Sequence, residues 1–138
     1  MRRTVVVVLA LCALPTTSNA ASEESFRLYS DICYNAEGGD ALGVRIGVIK
    51  LTEASYAFLQ WSVGYPEEKP QMTEVSASDL KRGKLVFSVQ RDGEPTTFRG
   101  TITAKALIGA FSPAYPGDPK VFHLRRVPPL QKGFPNCV

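Results

Sequence analysis

Thr96 to Thr103 reads TTFRGTIT, and Ala106 to Ser112 reads ALIGAFS, with Ala104-Lys105 between them. Each stretch alternates, and the two mirror each other: Phe98-x-Gly100-x-Ile102 stands against Leu107-x-Gly109-x-Phe111. A period of two is that of a strand with one face buried. A glycine between large residues on the apolar face lets a neighbouring ring or a curving strand come close, as a small barrel requires.

Working outward, Lys84 to Gln90 (KLVFSVQ) aligns Leu85, Phe87 and Val89, and Asp92-Gly93 is the pair favoured in tight hairpin turns. Ser55 to Gly64 (SYAFLQWSVG) puts Ala57, Leu59, Trp61 and Val63 on one face and Tyr56, Phe58, Gln60 and Ser62 on the other. Leu42 to Leu51 aligns Val44, Ile46 and Val48, and Phe26 to Asn35 (FRLYSDICYN) reads as the first strand. Gln71 to Ala77 is a weaker strand; Ser78 to Gly83 reads as a turn or a single helical turn, started by Ser78 and stopped by Gly83. Pro113 to Pro119 is a loop before the last strand, Val121 to Val127 (VFHLRRV). About eight strands with short connections predict an all-β fold of antiparallel neighbours in a meander. Such strands close into a small barrel, filled or holding one ligand, with a two-sheet sandwich as the alternative.

Phe98 to Ile102, Leu107 to Phe111 and Phe122-His123-Leu124-Arg125-Arg126 together resemble the closing strands of lipocalin-like domains in bacterial exported proteins. The resemblance covers residues 96–126 and implies a small β-barrel. The N-terminal Gly-x-Trp element of true lipocalins is absent, since Trp61 is the sole tryptophan. The resemblance therefore implies architecture more than activity.

The chain opens Met1-Arg2-Arg3, continues with the uncharged run TVVVVLALCAL from Thr4 to Leu14, and then has Pro15 and small residues at Ser18 and Ala20. Positive start, short apolar middle and small-x-small end are the parts of a secretory signal. The run is about half the ~20 residues needed to span a bilayer. Residues 1–20 are therefore expected to be a signal peptide cleaved after Ala20, leaving 21–138 as one domain without a membrane span. Cys12 does not make a lipoprotein box, because Leu11 before it is not small. Export to the periplasm or the medium follows.

After cleavage only Cys33 and Cys137 remain. In an oxidising compartment they are expected to pair, tying the C-terminal tail to the first strand. The prolines at 128, 129 and 135 predict an irregular tail from about residue 128, which the bond would pin. In the chain-entropy account a loop of about 100 residues gains ~4–5 kcal/mol from such a link.

All 13 acidic residues lie beyond position 20, whereas Arg2 and Arg3 leave with the leader, so the mature charge falls from +3 to +1. Its longest basic features, Lys81-Arg82-Gly83-Lys84 and Arg125-Arg126, read as solvated turns or strand ends. Neither is a footprint for nucleic acid.

The inventory for catalysis is thin. His123 is the sole histidine and alternates with Phe122 and Leu124, so it points away from them. No Gly-x-Ser-x-Gly elbow accompanies it, and no phosphate loop or dinucleotide fingerprint is present. One histidine and two bonded cysteines serve a metal poorly, so neither a metal nor a cofactor is expected. Tyr56, Phe58, Trp61 and Phe87 are the candidates for contact with a ligand or partner. The expected function is a monomeric, non-catalytic exported barrel holding an apolar or amphipathic ligand. An interaction module of the cell envelope, such as an inhibitor or accessory subunit, is the alternative, and an enzyme a distant third. A cavity lined by Val44, Ile46, Trp61 and Phe87 would favour the ligand; a filled interior with an exposed Tyr56/Phe58 surface would favour the envelope partner.

Overall fold

The two glycine-centred stretches pair as their symmetry predicts: Phe98 faces Phe111, Gly100 faces Gly109 and Ile102 faces Leu107. The Phe98 ring crosses the glycine pair, and a Cβ on Gly109 would lie 2.5 Å from its Cζ and 2.5 Å from the Arg99 carbonyl oxygen. The absence of side chains there is what lets a ring lie flat inside a tightly curved sheet.

A computed structural model describes residues 25–64, 69–130 and 132–138; the expected leader, 1–20, lies outside the described residues. The strands are β1 (Ser25–Ser30), β2 (Cys33–Asn35), β3 (Asp40–Lys50), β4 (Ser55–Val63), β5 (Gln71–Glu74), β6 (Lys84–Arg91), β7 (Glu94–Ile102), β8 (Ala106–Ser112) and β9 (Phe122–Val127). One short helix, α1 (Ala77–Lys81), joins β5 to β6. Eight strands follow one continuous path, β5-β4-β3-β1-β9-β8-β7-β6, with β2 added beside β3. Every pairing between these strands is antiparallel. The last strand returns to the first, so the meander curls into a nearly closed barrel rather than a two-sheet sandwich.

The remaining seam lies between β5 and β6, and one side chain bridges it. The Gln71 carboxamide donates to the Gln90 carbonyl at 2.5 Å and accepts from the Gln90 N–H at 2.9 Å. These are the two bonds that a residue of an antiparallel strand would exchange with its partner.

Inward-facing residues of all the long strands form one cluster, including Tyr29, Ile46, Leu59, Phe98, Leu107 and Leu124, each fully buried. An aromatic chain runs through it. Ring centroids are 5.3 Å apart for Phe87–Phe98, 5.0 Å for Phe98–Phe111 and 5.0 Å for Phe111–Trp61. Phe122 packs edge-on to Phe111 at 5.4 Å. Such pairs add roughly 0.5–1.5 kcal/mol each beyond the area they bury.

Two local expectations are corrected. The stretch 26–35 is not one strand: it breaks at Asp31-Ile32 into β1 and β2. Asp31 donates its N–H to the Val44 carbonyl at 3.1 Å, while its carboxylate accepts from the Val44 N–H at 2.6 Å. The carboxylate fills the space beside Gly43, whose φ of +128° suits glycine, and a Cβ there would stand 2.8 Å from it. The side chain has taken a ladder position, so the strand must jog. Cys33 accordingly opens β2. Its bond to Cys137 joins Cα atoms 4.9 Å apart, as a disulfide requires. Tyr34 then holds the tail by donating to the Pro135 carbonyl at 2.7 Å and accepting from the Cys137 N–H at 2.9 Å.

The helical turn, in turn, starts two residues earlier than expected. Its cap is Ser76, whose hydroxyl accepts from the Asp79 N–H at 3.3 Å, while Ser78 is bonded to that same hydroxyl at 2.9 Å. Gly83, at φ +71°, ends it. Among the described residues no helix is long and apolar enough to cross a membrane.

Candidate functional site

One end of the barrel is sealed. The β6–β7 hairpin turns through Asp92 and Gly93, both at positive φ, and the loop 113–121 folds beside it. The Arg91 guanidinium lies 3.9 Å above the Trp61 ring and 4.0 Å from the Tyr115 ring, and pairs with Asp118 at 2.5 Å. Tyr115 donates its hydroxyl to the Asp92 carboxylate. Arginine is suited to this position because its flat cation stacks on rings while its fork grips a carboxylate.

Among the described residues the opposite end is open. A cavity of about 520 Å³ sits between the rim of the barrel and α1, with Val48, Leu80 and Ile102 among its walls. Its cations are Arg27, Lys50, Lys81 and Arg126. Three of them continue inward-facing series with the period of two. Lys50 follows Val44, Ile46 and Val48; Arg126 follows Phe122 and Leu124; Arg27 precedes Tyr29. The register links them, since Arg126 stands opposite Tyr29, Arg27 opposite Val48 and Ser25 opposite Lys50. Arg126, Arg27 and Lys50 are thus successive diagonal neighbours across β9, β1 and β3, a spacing that long side chains bridge. Lys81 enters from α1. The salt bridges among the described residues, Arg82–Asp79 and Arg91–Asp118, involve none of the four.

A second concavity, about 480 Å³, lies on the outside of the barrel and is lined by Phe26, Ile49, Phe58, Pro70 and Met72. Phe26 and Phe58 stack with centroids 6.1 Å apart, and Phe26 and Met72 are largely exposed. Phe58 rests against Gly47, whose missing side chain makes the groove.

Of the four aromatic candidates, Phe58 lines this outer groove and Tyr56 lies half-buried on the same face, opposite Ile49 and Glu74. Trp61 and Phe87 lie in the interior cluster together with Val44 and Ile46, so the interior at that level is filled. The cations of the mouth are what sequence reasoning missed. In the sequence Lys81 and Arg126 read as part of a solvated turn and a strand end; the signal for Arg126 and Lys50 is a cation two positions beyond the last apolar residue of an inward series. His123 is exposed on β9, opposite Ile108. Among the described residues no three His, Cys, Asp or Glu side chains gather as metal ligands.

Two carboxyl groups are perturbed. Burial pushes Asp31 above the ordinary carboxylate value, opposed by its hydrogen bond from Val44. The hydrogen bond from Arg82 holds Asp79 below it. Neither lines the mouth or the outer groove.

No known protein family, characterised protein or solved structure matches the chain.

Proposed function

We propose that this chain is an exported, non-catalytic binding protein, a lipocalin-like barrel that takes a small amphipathic molecule at its open mouth rather than along its axis. The observation carrying this reading is the cavity beside α1, where Val48, Leu80 and Ile102 meet a rim of cations. Its volume of about 520 Å³ falls within the range usual for small-molecule sites. The filled interior and the sealed far end leave the mouth as the place for such a molecule. Export rests on the pattern of residues 1–20, and a disulfide between Cys33 and Cys137 suits the compartment it implies. Catalysis is disfavoured because the sole histidine stands on the outer face and both mature cysteines are bonded.

A second reading, a protein-interaction module of the cell envelope, is favoured by two observations: Val44, Ile46, Trp61 and Phe87 line no cavity but fill the interior, and Phe26, Phe58 and Met72 form an apolar groove on the outer face. Native mass spectrometry on protein recovered from an exporting host separates the two. A small added mass, released on denaturation, supports the ligand barrel. A bare mass of residues 21–138 less two hydrogens supports export and the disulfide, and turns the search to the outer groove.

A further inference from the structure

We infer that the molecule held at the mouth is an anionic amphiphile with one compact oxyanion head, a carboxylate or a phosphate monoester, on a short apolar chain. This rests on the mouth being the binding site. The fold concentrates four of the basic residues of a nearly neutral mature chain around one cavity, and among the described residues no carboxylate lines it. Like charges gathered without a counter-charge raise the potential in a concave, low-dielectric setting, which draws an anion.

The chemistry of the cations narrows the head group. Arg126 and Arg27 come from adjacent strands as diagonal neighbours on one face, so two planar forks converge on the same rim. Such forks match the paired oxygens of a carboxylate or phosphate. Lys50, next along the same diagonal, and Lys81, from α1, add point charges that need no fixed geometry.

The walls narrow the rest. A free inorganic anion would have no use for Val48, Leu80 and Ile102, whereas an acyl or alkyl chain would cover them. The chain must be short. Beyond the mouth Tyr29, Leu107 and the linked phenylalanine rings fill the interior, so it has nowhere to run.

The test is calorimetric titration of the mature chain with octanoate, octyl phosphate, 1-octanol and inorganic phosphate. At least one of the two anionic octyl compounds is expected to bind roughly tenfold or more tightly than octanol, as charge-assisted hydrogen bonds imply. The tighter of the two identifies the head. Preference for the anions should vanish in Arg27→Gln/Arg126→Gln while octanol binding stays unchanged, and Lys81→Glu on the exposed helix should weaken the anions without disturbing the barrel. Octanol binding as tightly as the anions would overturn the charged head but leave the mouth site standing. Inorganic phosphate matching octyl phosphate would overturn the chain. A preference that survives both variants would overturn the assignment to these cations. Binding of none of the four would overturn the mouth reading itself.

Discussion

Phe58 lays its ring over Gly47, its cross-strand partner on β3, so closely that a Cβ on the glycine would stand 1.9 Å from the ring's Cε1. The outer groove therefore depends on a residue that lines none of it. Gly47→Ala should push the ring aside, break its stack with Phe26 and cost about 1–3 kcal/mol, the usual range for overpacking. In Phe58→Ala the same glycine change should cost much less. Denaturant midpoints of the two single variants and the double variant check this, since additive effects would mean that the ring and the glycine act independently.

Arg91 is largely buried between Trp61, Tyr115 and Asp118. Removing its carboxylate partner leaves a cation without compensation, so Asp118→Ala should destabilise by about 3 kcal/mol, near the lower end for broken buried pairs. Arg91→Met leaves the Asp118 carboxylate, the more buried of the two partners, without its counter-charge and should cost a similar amount. Because Trp61 is the sole tryptophan, its emission reports the loss of the overlying cation in Arg91→Met and its displacement in Asp118→Ala. An unchanged emission spectrum in Arg91→Met would contradict the stacking.

Asp31 contributes a pH dependence. Its carboxyl has a higher pKa folded than the ordinary 3.8, because burial disfavours the charge. A group of this kind binds its proton more readily in the folded state. The cost of its ionisation is therefore fully present above the raised value and disappears as pH falls through it towards 3.8. Asp31→Asn keeps an acceptor for the Val44 N–H without the charge. It should match or exceed the parent's stability at neutral pH and lose that advantage in mild acid. Asp31→Ala leaves the amide without its acceptor and should cost about 1–3 kcal/mol at both pH values. Urea midpoints at the two pH values decide; an asparagine advantage that grows in acid would reverse the sign.

The seam offers a local test. Gln71→Ala removes both hydrogen bonds to Gln90. Hydrogen exchange at the Gln90 amide should quicken while the amides of the β7–β8 ladder keep their protection. A global loss of about 1–2 kcal/mol is expected, as for one or two net hydrogen bonds. Equal acceleration across β6 to β8 would mean that the seam is not a separately opening unit.

Much of the fold is legible in the residues because period-two alternation depends only on which face is buried. The facing of Trp61, Phe87 and the Phe98/Phe111 pair follows from it directly, and so does the outward turn of His123. The break at Asp31 is not legible, since it arises when a carboxylate captures an amide 13 positions away. The cap at Ser76 rather than Ser78 is likewise a contest between two adjacent hydroxyls that composition does not rank. The mouth is hidden for another reason: Arg27, Lys50, Lys81 and Arg126 are far apart in the chain, and only the register brings them to one rim.

The Cys33–Cys137 bond turns most of the domain into a covalent circle, with one barrel strand left outside. That strand is β1, and it is the one that holds β3 to β9. Lifting it away would leave the circle intact but divide the sheet in two, β5-β4-β3 on one side and β9-β8-β7-β6 on the other. The least tethered strand is thus the keystone. Two molecules that traded their β1 segments would each regain a complete barrel without either circle being cut, which makes β1 the natural currency of strand exchange in this fold.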